Sequence, residues 1–179
     1  SSDLLQCHAS TMTRNFPGHL VRSVTPDAAG FPILRLGTHL TTQESPLGER
    51  WGGWYVTGTH GAARHMGNVV AQGAEEESLL DLAQGANVTS LASRIDTSQY
   101  LTPDSDIVAL MVLEHQVQMH NLITQANFEA RWALKDQAAL EGVESIPPDR
   151  FSESTRRRIA HAGDRLVRHM LFVNELELK

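Results

Sequence analysis

The chain contains a single cysteine, Cys7, so no disulfide bond can form within it. Cysteine content therefore gives no direct evidence for an oxidising compartment. No apolar run approaches the roughly 20 residues needed to cross a bilayer, which predicts a chain that does not span a membrane. The chain also lacks a surplus of basic residues, since its formal net charge is -6. This charge disfavours nucleic acid as a partner, because phosphate binding requires lysine and arginine.

The signatures of several common catalytic sites are also missing. Neither standard form of the glycine-rich phosphate-binding loop is present, so nucleotide use has no support. No pair of Glu-x-x-His motifs is present to build a di-iron site in a helical bundle. A cysteine nucleophile paired with one of the nine histidines would be a spatial arrangement, which the sequence does not reveal. None of these signatures therefore predicts an enzyme of a particular class.

With 179 residues, the chain has the length of one domain, and we predict a single domain over residues 1–179. Residues 1–75 are rich in glycine, proline, threonine and histidine and lack a sustained helical period. This composition predicts an irregular, loop-rich N-terminal half. Strands are predicted over residues 21–24, 31–36 and 54–59, and turn residues at 25–30 join the first two into a small β-hairpin.

Residues 76–179 are predicted to be helical, which makes the fold mainly α. A short helix is predicted over residues 75–84, with acidic residues in its first turn. A long helix begins after the start signal at residues 102–106 and ends near Gly142. A last helix begins near Ser152 or Ser154. Apolar stripes mark the two long helices, at Val108, Val112, Met119, Leu122, Ala126 and Ala133, and at Ile159, Ala162, Leu166, Met170 and Val173. We expect these two helices to pack together.

Cys7 and His8 form the end of a haem-attachment signature. A c-type haem is held by Cys-x-x-Cys-His, in which two thiols form thioethers and the histidine binds the iron. Here the register is Leu4-Leu5-Gln6-Cys7-His8, so Leu4 stands in place of the first cysteine. Two interpretations follow: the chain binds haem through one thioether, or it has lost the cofactor of its ancestors.

Further histidines and a methionine provide candidates for the iron ligand opposite His8. His60, His65 and Met66 lie in or near a glycine-rich segment at residues 50–61. The backbone of such a segment can adopt many conformations, so it can bring a ligand to a cofactor. His120 is a further candidate ligand. The alternative for the loop histidines is a turn at His60 and a helix start at His65.

The long helix cannot use both of its histidines on one ion. His115 and His120 lie five residues apart, which rotates their rings about 140° from each other around the helix. His115 shares the apolar stripe, so we expect its ring to point inward and to be hydrogen-bonded.

The chain resembles a group of exported bacterial cytochrome c domain proteins. The resemblance is carried by residues 7–10, 17–27, 37–61, 64–68, 100–110 and 114–121, and so spans most of the chain. It implies covalent haem c, with Cys7 as the thioether cysteine and His8 as the proximal ligand. Under this assignment the segment with Trp51 and Trp54 lines the haem pocket together with His60. Leu4 departs from the pattern of the group, which leaves one thioether instead of two.

The resemblance also implies export and a periplasmic or otherwise extracytoplasmic location. A start at Ser1-Ser2-Asp3 fits a processed N-terminus, and sequence beyond the end of the chain is expected. The expected function is electron transfer to a redox partner protein or a larger membrane-associated complex. The alternative is a haem-free structural or interaction subunit on a cytochrome-derived scaffold. A peroxidase-like haem with an open sixth position is a third hypothesis.

Overall fold

The computed structural model describes residues 8–71 and 80–177, so Leu4 and Cys7 lie outside the described residues. The chain forms two compact units. The first comprises Ser1–Leu20 and Gln116–Val173, and the second comprises Val21–His115 and Asn174–Lys179. These units interleave along the sequence, so their boundaries do not coincide with the predicted division at residue 75.

Two long helices dominate the first unit, as predicted. Helix α1 spans Ile107–Glu141, of which residues 116–141 belong to this unit, and α2 spans Glu153–Met170. The helices pack where Ala133 and Ala162 are buried, because small side chains allow close approach. The Thr155 hydroxyl donates to the Ala133 carbonyl. Two ion pairs join the helices at their edges, Arg158 with Asp136 and Arg165 with Glu129.

The predicted helix ends are confirmed by local hydrogen bonds. The Asp106 carboxylate accepts from the backbone N–H of Ala109 at the start of α1, as an N-cap should. At its end Gly142 has a φ of 65°. The N–H groups of Gly142 and Val143 donate to carbonyls one turn back, which forms a Schellman cap. Ser152 caps α2 by accepting from the N–H of Thr155.

The second unit contains a two-stranded antiparallel sheet, in which β1 at Arg22–Val24 pairs with β2 at Thr38–Leu40. The prediction of β1 is confirmed, but that of its partner over residues 31–36 is wrong. The Asp27 carboxylate accepts from the N–H groups of Ala29 and Phe31, and Pro32 has no N–H to donate. Residues 31–33 lie opposite residues 25–27 instead, with an isolated antiparallel bridge between Pro26 and Pro32. The chain then continues through a 3₁₀ helix at Leu34–Leu36 before β2 pairs with β1.

Two other predicted elements differ from the structure. The predicted strand at residues 54–59 is reduced to one parallel bridge between Thr57 and Asp106. Of the predicted helix at 75–84, residues 75–79 lie outside the described residues, and residues 82–87 form turns. The Asp81 carboxylate accepts from the N–H of Ala83, a local bond that competes with a helix. Further 3₁₀ helices lie at Thr11–Thr13, Leu47–Glu49 and Pro148–Arg150.

The core of the second unit forms around three buried side chains, Leu47, Trp51 and Val56, and residues at the start of α1 pack against it. Val108 and Val112 are exposed, so the predicted stripe is wrong at this end of the helix. The inward face includes the buried carboxylate of Glu114, which an apolar periodicity does not detect. Within the described residues, no helix is both long and apolar enough to span a bilayer.

Candidate functional site

His8 is held in an orientation suited to binding a metal. Its Nδ1 donates to the Gly18 carbonyl over 2.9 Å, and the N–H of Gly18 donates to the His8 carbonyl, also over 2.9 Å. A carbonyl oxygen only accepts, so Nδ1 carries the proton and the lone pair of the neutral ring lies on Nε2. Metal-binding histidines are usually oriented in this way by a backbone carbonyl.

An open cavity of about 360 Å³ lies beside this ring. Its lining includes His8, His19 and His120, and the rings of His8 and His19 meet edge to face at 5.9 Å. The structure thus brings the predicted residues His8 and His120 together and adds His19, which was not predicted as a ligand. The volume lies at the lower end of the roughly 300–1,000 Å³ typical of ligand pockets.

Asn121 fixes the loop that orients His8. Its Oδ1 accepts from the backbone N–H of His19 and its Nδ2 donates to the His19 carbonyl, both over 2.8 Å. The side chain is buried, and a Cβ on Gly18 would lie 2.6 Å from its Oδ1. Asn121 therefore holds α1 and the loop at Gly18 in contact, and Gly18 in turn positions His8. The predicted candidates did not include Asn121, although it directly follows His120.

The second unit contains a different group of the predicted residues. The His65 ring lies 5.3 Å from that of Trp51 and 4.8 Å from that of His60, between ring centroids. His65 is only 1% exposed, and its Nδ1 accepts from the N–H of Gly67. Burial is the main cause that lowers the pKa of His65 from 6.5 to about 4, and electrostatic interaction with His60 and Arg64 lowers it further. The ring is therefore neutral at physiological pH.

Both nitrogens of His60 already have partners. Nδ1 donates to the Ala63 carbonyl over 3.1 Å, and Nε2 accepts from the N–H of Asn87 over 2.9 Å. The Nδ1 lone pair of His65 is likewise used by Gly67. Iron binding through Nε2 of His60 or through Nδ1 of His65 would thus require the loss of a hydrogen bond within the fold.

Met66 and Trp54 also make contacts within the second unit. The Met66 sulfur accepts a weak hydrogen bond from the buried Ser23 hydroxyl at 3.6 Å. The Trp54 indole N–H donates to the Arg22 carbonyl over 2.9 Å, and its ring packs against the core of this unit. The glycine-rich segment that carries Trp54 lies against β1, since a Cβ on Gly52 would lie 2.5 Å from the Val24 carbonyl oxygen.

A buried ion pair beside Trp51 was not predicted from the sequence. The Arg50 guanidinium donates to the Glu114 carboxylate over 2.8 Å, and each side chain is 1% exposed. Arg50 also donates to the carbonyls of Gln43 and Ser45. Burial raises the pKa of Glu114, although Arg50 opposes that shift. The Arg50 guanidinium carbon lies 6.0 Å from the centre of the Trp51 ring, and Trp51 adopts a φ of 63°, a conformation that bulky residues rarely take.

A haem iron and a free metal ion require different numbers of protein ligands. Within residues 8–71 and 80–177, no group of three or more His, Cys, Asp or Glu side chains is placed to hold a metal ion. A haem iron needs only one or two protein ligands, because the porphyrin supplies the others. The orientation of His8 meets that requirement, and Cys7 directly precedes it in the sequence.

Comparison of the chain with protein-family models, with curated proteins and with solved structures finds no match.

Proposed function

We propose that the protein is an extracytoplasmic c-type haem protein that transfers electrons. In this proposal Cys7 forms a single thioether to the haem and His8 is the proximal ligand of the iron. The supporting observation is the hydrogen bond from His8 Nδ1 to the Gly18 carbonyl. It leaves Nε2 to bind a metal and sets the direction of the ring. When bound, haem supplies an iron that alternates between the ferric and ferrous states.

If haem is bound, His120 would be the second protein ligand that holds its iron, and His19 is the other candidate. Both line the cavity beside His8. The His120 ring is exposed, so its binding would disrupt no buried contact. A second histidine ligand would leave the iron no position for a substrate, which would favour electron transfer. The hydrogen bonds of His60 and His65 make them weaker candidates.

The chain's own residues compensate for the missing thioether. Leu4 has no thiol, so retention depends on Cys7 and on the bond from His8. Gly18 keeps the His8 ring oriented, and Asn121 keeps Gly18 in place. Attachment of haem c takes place outside the cytoplasm, which accounts for the proposed periplasmic location. The proposed partner is a redox protein or a membrane-associated complex.

The test is expression with an export signal in a host that attaches haem c, followed by a pyridine haemochrome spectrum. We expect haem to remain bound after denaturation in the wild type and to be lost from Cys7→Ser. His8→Ala should change the spectrum of the native protein, because the iron loses its proximal ligand. His161→Ala is the matched control, since this histidine is exposed on α2. A wild-type chain without a Soret band would contradict the proposal.

One observation favours the alternative, a haem-free interaction subunit. Val167, Met170 and Leu171 at the end of α2 are all about half exposed or more, and their spacing places them along one side of the helix. Such a strip suits contact with another protein. Light scattering after size exclusion would support the alternative if the chain lacked haem and formed an oligomer that Met170→Lys dissociated. A haem-loaded monomer would contradict it.

A further inference from the structure

The second unit contains a cleft of about 400 Å³ that the proposed haem function does not use. Three aromatic residues, Trp54, Tyr55 and Tyr100, contribute to its walls. The other apolar lining residues are Leu91, Ile95 and Pro103. Among the described residues that line the cleft, Asp104 is the only charged one. The cleft therefore combines aromatic surface with a single negative charge.

The walls of the cleft are fixed by backbone hydrogen bonds. The N–H of Leu91 donates to the Pro103 carbonyl over 2.8 Å, and the N–H of Thr57 donates to the Ser105 carbonyl over 2.6 Å. Ser105 returns a bond from its N–H to the Thr57 hydroxyl. Leu91 is buried. Because these contacts hold both sides of the segment around Asp104, a ligand would find the cleft largely formed, which reduces the entropy cost of binding.

The aromatic residues are available to a ligand as ring surface. The Trp54 N–H is already bonded to the Arg22 carbonyl, so Trp54 has no free N–H to donate to a ligand. Tyr100 is 66% exposed and Tyr55 is 46% exposed. The faces of such rings attract cations through their negative quadrupole.

These features select one class of ligand. An anion would be repelled by the Asp104 carboxylate and would meet no lysine, arginine or histidine in the described lining. A neutral apolar molecule would fill the cleft but gain nothing from the carboxylate. A cation with apolar substituents uses both the charge and the rings. We propose that the cleft binds a small organic cation, either a quaternary ammonium or a substituted protonated amine.

The test compares choline with 3,3-dimethylbutanol, its neutral isostere, by calorimetric titration of the full chain in low salt. The two probes have nearly the same shape, so their difference reports the charge. We expect choline to bind roughly tenfold more tightly than the isostere. Asp104→Asn should remove most of this preference. Tyr100→Leu should weaken choline binding severalfold, and the high exposure of Tyr100 means that folding should be unaffected.

Glu44→Gln is the matched control, because Glu44 is an exposed acid of the same unit that does not line the cleft. This variant should bind choline like the wild type. Equal affinities for choline and the isostere would overturn the proposal, as would the absence of choline binding. A preference that persists in Asp104→Asn but falls in Glu44→Gln would also overturn it, since the relevant charge would then lie elsewhere. Haem content does not enter the comparison, so its outcome is independent of the proposed electron transfer.

Discussion

Acidification should destabilise the second unit of the protein through His65. This ring is buried and accepts from the N–H of Gly67 through Nδ1. Protonation would place a hydrogen on Nδ1, remove this acceptor and bring a charge into the interior beside His60. The folded-state pKa of His65 is accordingly lowered from 6.5 to about 4, with burial as the main cause.

The sign and size of the effect follow from proton linkage. Between pH 6.5 and about pH 4 the unfolded chain binds a proton at His65 that the folded chain does not. The stability that His65 contributes is therefore present above pH 6.5 and is lost as the pH falls through this window. At about 1.36 kcal/mol per pKa unit, the lowering amounts to about 3 kcal/mol.

The assay is urea denaturation of the wild type and of His65→Gln, from above pH 6.5 down to pH 4. Glutamine keeps an acceptor for Gly67 but does not titrate. We expect the stability advantage of the wild type to shrink by about 3 kcal/mol across this range. His161→Gln, at an exposed site, should leave the pH dependence unchanged.

If the difference in unfolding free energy between the wild type and His65→Gln stayed constant with pH, the proposed role of His65 would be refuted. The dependence should also persist in haem-loaded protein, because the proposed ligands are His8 and His120. If haem loading abolished the titration of His65, that ring and not His120 would be the iron ligand.

Other predictions concern the buried pair of Arg50 and Glu114 and the proposed site. Glu114→Ala leaves a buried guanidinium without its counter-ion, so the free energy of unfolding should fall by about 3–5 kcal/mol. Asp136→Ala breaks an exposed pair and should lower the free energy of unfolding by less than about 1 kcal/mol. Equal losses of stability in the two variants, measured by urea denaturation, would contradict the buried-charge explanation. Asn121→Ala should convert His8 from a single Nδ1–H tautomer to a mixture, measured by ¹⁵N NMR of the haem-free chain; an unchanged tautomer would show that Asn121 does not position it. Leu4→Cys completes the attachment signature, so the pyridine haemochrome band should move to that of ordinary haem c, whereas an unchanged band would mean that residue 4 does not reach the porphyrin.

The two long helices were predictable because their ends are marked locally. Asp106, Gly142 and Ser152 each act within a few residues of the backbone groups that they cap. The inward face at the start of α1 was harder to predict. It is set by Glu114 and its pair with Arg50, a contact between residues 64 positions apart.

The partner of β1 was not predictable because residues 31–33 lie opposite residues 25–27, beyond the end of β1. Asp27 captures two N–H groups, and Pro32 supplies none. The true partner, Thr38–Leu40, is three residues long and too short to show an alternating pattern. Local composition therefore pointed to the more apolar segment at residues 31–36.

The candidate site was predicted in its parts but not in its arrangement. Cys7 and His8 stand out by motif, and His120 by residue type. The roles of Gly18 and Asn121 depend on contacts between residues 102 positions apart in the chain. The same limit applies to the loop histidines. The His60 ring is hydrogen-bonded to Asn87, which lies 27 residues away. This bond distinguishes a ring held within the fold from a free ligand, and no local sequence pattern reveals it.

Intact mass spectrometry of the exported chain tests the proposed haem attachment most directly. The chain should be produced in a host that attaches haem c and purified under denaturing conditions, so that only covalent haem remains. We expect a single haem-sized mass addition, located by peptide mapping on Cys7 and absent from Cys7→Ser. A wild-type chain with its unmodified mass, from a host shown to attach haem to another c-type protein, would contradict the proposed function.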